Sequence, residues 1–121
     1  MDRERLEADL APRVNACRAI GAAYLLAVPP RMAGLSEDTA LPEIRAGLEL
    51  VRDRAAADGM GVAFEFLGFF DCPIRTPAAA ARVVDGIQGV EIVLDSCHWH
   101  ASGSGSLDAL PMPAARRIAC S

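Results

Sequence analysis

Apolar residues recur along this chain in two alternating periods, a helical one and a two-residue one, and the alternation predicts helix and strand units in turn. Ala11, Val14, Cys17 and Ile20 predict a helix running to Gly21, capped by Asp9 and with Pro12 tolerated in its first turn. Residues 1–8 are charged and read as the tail of an earlier helix or a frayed start. Tyr24 to Val28 predicts a short strand that Pro29-Pro30 stop. The clearest helix follows, with Thr39 as cap, Glu43 four residues along and Pro42 in the first turn; Leu41, Ile44, Leu48, Val51 and Ala55 form its buried stripe before Asp58-Gly59 closes it.

Two further strands each carry a carboxylate. Val62 to Leu67 places Val62, Phe64 and Phe66 on one face and Ala63, Glu65 and Leu67 on the other, with Glu65 about two residues before the strand end. After a loop over 68–75, Thr76-Pro77 open a helix whose apolar face includes Ala80, Val83, Val84 and Ile87. Val90 to Asp95 places Ile92 and Leu94 on one face and Glu91, Val93 and Asp95 on the other. A carboxylate in an apolar strand is unfavourable unless partnered, and two successive parallel strands presenting one on the same face point to a shared site.

Helices between strands of about six residues predict parallel right-handed crossover units. The fold class is therefore α/β, with about three parallel βα units and, at Ile118-Ala119-Cys120, the start of a fourth strand. Residues 101–106 read as a loop on the ligand side, and Leu107 to Leu110 as one helical turn.

The 121 residues bound the answer at one domain, and a 52 % hydrophobic content against 23 % charged residues excludes disorder. Net charge is -4 and the basic residues, all arginine, are scattered, so no nucleic acid is expected as partner. The apolar runs are too short for a membrane span and the charged start is unlike a signal segment, so the default location is cytoplasmic. Cys17, Cys72, Cys97 and Cys120 lack the paired spacings of structural zinc and read as free thiols, Cys97 being the one beside the candidate site. Gly103 and Gly105 lack the strand–turn–helix setting of a dinucleotide-binding loop.

Glu65 and Asp95 are hard oxygen ligands, suited to magnesium or manganese ahead of zinc or cobalt. His98 and His100 offer nitrogen ligands or hydrogen bonds to sugar hydroxyls, Trp99 a wall for a sugar pocket, and Arg31, in the loop after the first strand, a contact for an anionic substrate. Each has a plainer alternative. Glu65 could pair with an arginine such as Arg31; Asp95 could cap the following turn; Trp99 could cover the core; His100 and Arg31 could face solvent.

On these residues, above all Ala-Phe-Glu-Phe-Leu-Gly around Glu65 and Leu-Asp-Ser-Cys-His from Leu94 to His98, the sequence resembles the sugar phosphate isomerase and epimerase superfamily. These are xylose-isomerase-like barrels that include inosose dehydratases, ketose 3-epimerases and relatives of endonuclease four. The resemblance covers nearly the whole chain and implies the middle part of a TIM barrel, from the family's third helix to the opening of its seventh strand. It implies that Glu65 is a metal ligand and an acid–base carboxylate, that Asp95 is a second ligand, and that His98 contacts substrate oxygens near the metal. In that family a histidine of the seventh strand and a glutamate of the eighth complete the site.

Two function classes follow. One is a divalent-metal-dependent isomerase or epimerase acting on a small sugar, polyol or sugar phosphate, its site completed outside this segment. The other is a noncatalytic remnant or interaction module of the same fold, associating with copies of itself or with a complementary fragment. A DNA repair hydrolase stands third, since its several metals would need further histidines and carboxylates.

Overall fold

The computed structural model describes residues 2–108 and the backbone of residues 118–119. Helices and strands alternate as α1 (Arg3–Ala19), β1 (Tyr24–Ala27), α2 (Glu37–Ala57), β2 (Gly61–Glu65), α3 (Pro77–Val84), β3 (Val90–Asp95), α4 (Ser96–Ala101) and β4 (Ile118–Ala119). The strands lie side by side in sequence order and every pairing is parallel, giving an open wall of a TIM barrel. The expected turn over 107–110 runs beyond the described residues, as do Arg116, Arg117 and Cys120.

Two helix starts differ from the sequence reading. Asp2, not Asp9, caps α1, accepting the N–H of Arg5 at 3.0 Å, so residues 3–8 belong to the helix and Pro12 lies inside it. Burial accounts for the extension: Leu6, Leu10, Val14 and Cys17 form one stripe, with Leu10 and Val14 buried, and this outweighs the break a proline introduces. In α2, Ser36 is the cap and accepts the N–H of Thr39 at 3.2 Å, while Glu37 and Asp38 fill the first turn where the helix dipole favours acids. Thr76 caps α3 as expected, with Pro77 in the first helical position.

The helices cover one face of the sheet. Val62, Phe64, Phe66 and Ile92 are fully buried there, in one cluster with Val14, Leu48 and Val83. Arginines of α2 satisfy carbonyls that α3 and the turn after it leave open. Arg45 donates to the carbonyls of Arg82 and Val83 at 2.9 and 3.0 Å, and Arg52 donates to that of Gln88 at 3.1 Å. Arg82 returns the tie through Glu37 and Asp38 at the start of α2.

The other face is the inner one. Register pairs Leu26 with Ala63 and Glu65 with Val93, so Leu26 shares a face with Glu65 and Asp95. At the amino end of the strands, the Tyr24 hydroxyl donates across β2 to Glu91 at 3.4 Å. Among the described residues no helix is long and apolar enough to cross a membrane.

Candidate metal centre and active site

Both carboxylates sit at the carboxyl ends of their strands, where barrel folds assemble their sites. Glu65 is itself the last residue of β2, closer to the end than expected. The strand stops there because β1 runs out at Ala27, opposite Phe64, and the N–H of Leu67 turns to the carbonyl of Ile74 at 3.1 Å. Asp95 ends β3 and caps α4, its Oδ1 accepting the N–H of Cys97 at 2.7 Å and that of His98 at 3.3 Å. The capping alternative is thus realised, and it coexists with the site: capping engages Oδ1, while the carboxylate also reaches Glu65.

Glu65, Asp95 and His98 come together, with one candidate ligand atom from each lying within 4.8 Å of the others. Burial pushes the Glu65 carboxyl above the ordinary glutamate range. Attraction to His98 acts against that shift, and the charge of Asp95 and a carboxyl–carboxylate hydrogen bond to it add to it. Two acids gathered in this way fit a divalent cation, which would relieve their repulsion.

His98 lies on the first turn of α4, where the sequence reading had no helix. Its Nδ1 accepts the backbone N–H of Gly68 at 3.0 Å. In the neutral ring this leaves the hydrogen on Nε2. Neither ring nitrogen then offers a free lone pair: one is engaged by Gly68 and the other carries hydrogen. The candidate cation ligands are therefore the two carboxylates, and His98 is equipped to donate a hydrogen bond.

The remaining candidates stand apart from this cluster. Trp99 packs against the core and donates from Nε1 to the carbonyl of Gly105 at 2.8 Å, securing the loop after α4. His100 is exposed. Arg31 reaches the next loop rather than Glu65: its Nε donates to Asp71 at 2.9 Å and its guanidinium lies 4.1 Å over the ring of Phe69. Phe69 in turn meets His98 edge-on, with centroids 5.2 Å apart. Cys17, Cys72 and Cys97 are in no disulfide among the described residues, and Cys97 is exposed beside the cluster. Gly68 and Phe69 were not singled out by sequence reasoning; the glycine directly after an apolar strand was the available signal.

A parallel βα wall with two carboxylates gathered at its carboxyl ends is a segment of TIM-barrel type. Residues 2–120 match the sequence profile of the xylose isomerase-like TIM barrel family, and the chain belongs to that family. It is 32 % identical over 109 residues to the inosose isomerase of Bacillus licheniformis and 29 % identical over 109 residues to that of Bacillus subtilis, covering in each case 87 % of this chain and 38 % of the relative. Among solved structures it is similar to the IolI protein with a bound zinc atom, with a TM-score of 0.77 and 26 % identity over 87 % of this chain and 40 % of the other. The fold also matches a xylose isomerase domain protein of Salmonella typhimurium, with a TM-score of 0.72, 16 % identity and coverage of 84 % and 37 %. The chain therefore spans about two fifths of the length of these relatives. The zinc of the IolI structure gives no support to placing magnesium or manganese ahead of zinc.

Proposed function

We propose that this chain supplies the middle part of a xylose-isomerase-like barrel whose site isomerises or epimerises a small sugar or polyol with the help of a divalent cation. The observation that carries the reading is the convergence of Glu65, Asp95 and His98 at the ends of adjacent strands. Glu65 and Asp95 would hold the cation, which when bound polarises a substrate carbonyl and acidifies the neighbouring C–H. Glu65, at the strand end in the same cluster, is the carboxylate placed to move that proton, and His98 to donate from Nε2 to a substrate oxygen. The inosose isomerase relatives make a cyclic polyol ketone the first substrate to try.

Deuterium exchange into an inosose or ketose, in the presence of zinc or manganese, tests this reading, with His98→Gln measured beside the unaltered chain. Exchange beside the carbonyl, together with weaker sugar binding in the variant, supports it. Sugar binding and exchange unchanged in the variant would remove His98 from the chemistry.

A second reading, an interaction module of the same fold, draws on Leu26. Its inward-facing side chain is 55 % exposed, an apolar surface that association with a further barrel wall would cover.

A further inference from the structure

We propose that Arg75 is a positioning residue for His98: by holding the carbonyl of Gly68 it keeps the N–H of that residue on Nδ1 and fixes the ring as the tautomer with its hydrogen on Nε2. The inference rests on the reading of His98 as a donor to substrate and extends it to a residue outside the cluster.

Sterics force the weak point of this arrangement. A Cβ at residue 68 would lie 2.4 Å from the carbonyl oxygen of His98 and 2.9 Å from the Cβ of Ala101, so only glycine fits beneath α4. Glycine is also the residue with the greatest backbone freedom, and it stands where one N–H must be aimed at one ring nitrogen. The loop removes that freedom from both sides. The N–H of Leu67 donates to the carbonyl of Ile74 at 3.1 Å, and Nη2 of Arg75 donates to the carbonyl of Gly68 at 3.2 Å. The two ties are one residue apart at each end of the loop, and the N–H that reaches His98 lies between them.

Arg75 is an unfavourable choice for covering a loop. Its Nε is buried with no hydrogen-bond partner among the described residues, and an apolar side chain of similar length would fill the space without an orphaned donor. What an apolar side chain cannot supply is the bond to Gly68. Phe69, edge-on to the His98 ring and stacked under Arg31, braces the plane of the ring but does not choose between its nitrogens.

The test is ¹⁵N NMR of the full chain without metal or sugar, where imidazole nitrogen shifts separate protonated from unprotonated positions. The unaltered chain is expected to show His98 with hydrogen on Nε2 and a bare Nδ1. In Arg75→Met the minor tautomer should rise and the Gly68 amide should exchange at least roughly fivefold faster, the ratio that loss of one ordinary hydrogen bond gives. Arg75→Lys, which keeps a donor, should recover part of both. Hydrogen on Nδ1 in the unaltered chain would overturn the proposal whether or not the variants fold, and so would an Arg75→Met chain with unchanged tautomer and amide exchange. Because no cation is present, such a failure leaves the carboxylate site untouched, whereas failure of the carboxylate site would appear in metal titrations and leave the tautomer unchanged.

Discussion

Glu65 and Asp95 do not face one another across the ladder: Glu65 pairs with Val93, and Asp95 stands two positions farther along β3 on the same face. The carboxylates nonetheless come together, with candidate ligand atoms within 4.8 Å of each other, because β2 ends at Glu65 and its side chain can lean along the strand direction toward Asp95. This offset gathers two acids from different strands at one end of the sheet, the arrangement a cation site requires.

Asp95 caps α4 and is a proposed cation ligand, and two substitutions should divide these roles. Asp95→Asn keeps an oxygen that can accept the N–H groups of Cys97 and His98, so stability should change little while cation affinity falls at least tenfold. Asp95→Ala removes the cap as well and should cost a further ~1 kcal/mol. Urea unfolding without metal, beside calorimetric titration with metal, checks both; equal stability loss in the two variants would contradict the division.

The raised proton affinity of Glu65 sets the sign of a pH dependence. The folded, metal-free chain binds this proton more tightly than the unfolded chain, so the contribution of Glu65 to stability falls as pH rises from the ordinary glutamate range through the raised folded value. Glu65→Gln should therefore stabilise the metal-free protein at neutral pH and leave it nearly unchanged at acidic pH. Unfolding curves in chelator at the two conditions measure this.

Asp71 has the opposite sign. The hydrogen bond from Arg31 holds its carboxyl below the ordinary aspartate range, so its contribution is present above that range and is lost as pH falls through the lowered folded value. Arg31→Ala should raise the Asp71 value toward the ordinary one, as followed by carboxyl NMR titration. The ring of Phe69 would lose its cover in the same variant.

Arg45 joins α2 to the end of α3 through two carbonyls. Arg45→Met retains most of the stem and removes both bonds, and should cost about 1–2 kcal/mol in urea unfolding with no effect on cation binding.

The parallel order of units and the two carboxylates were readable because burial makes both conspicuous. The helical stripe of α2 and an acid at the carboxyl end of each of two apolar strands have few alternative explanations. The start of α1 was not readable, since Asp2 and Asp9 are equally good caps and the choice fell to Leu6 and Leu10 finding the core. Contacts of the loop over 68–75 were hidden for a different reason. The bond from Gly68 to His98 spans 30 positions, and its geometry depends on closing a loop and starting a helix at the same place. Trp99 was ambiguous because a large ring with one polar edge serves a core cover and a pocket wall equally well; here it lies on the core.

The central claim is that Glu65 and Asp95 together hold a divalent cation. Calorimetric titration of the full chain with zinc and with manganese, repeated on Glu65→Gln, tests it most directly. The account predicts saturable binding at one ion per site, weakened at least tenfold in the variant. Binding that is identical in the two chains would contradict it.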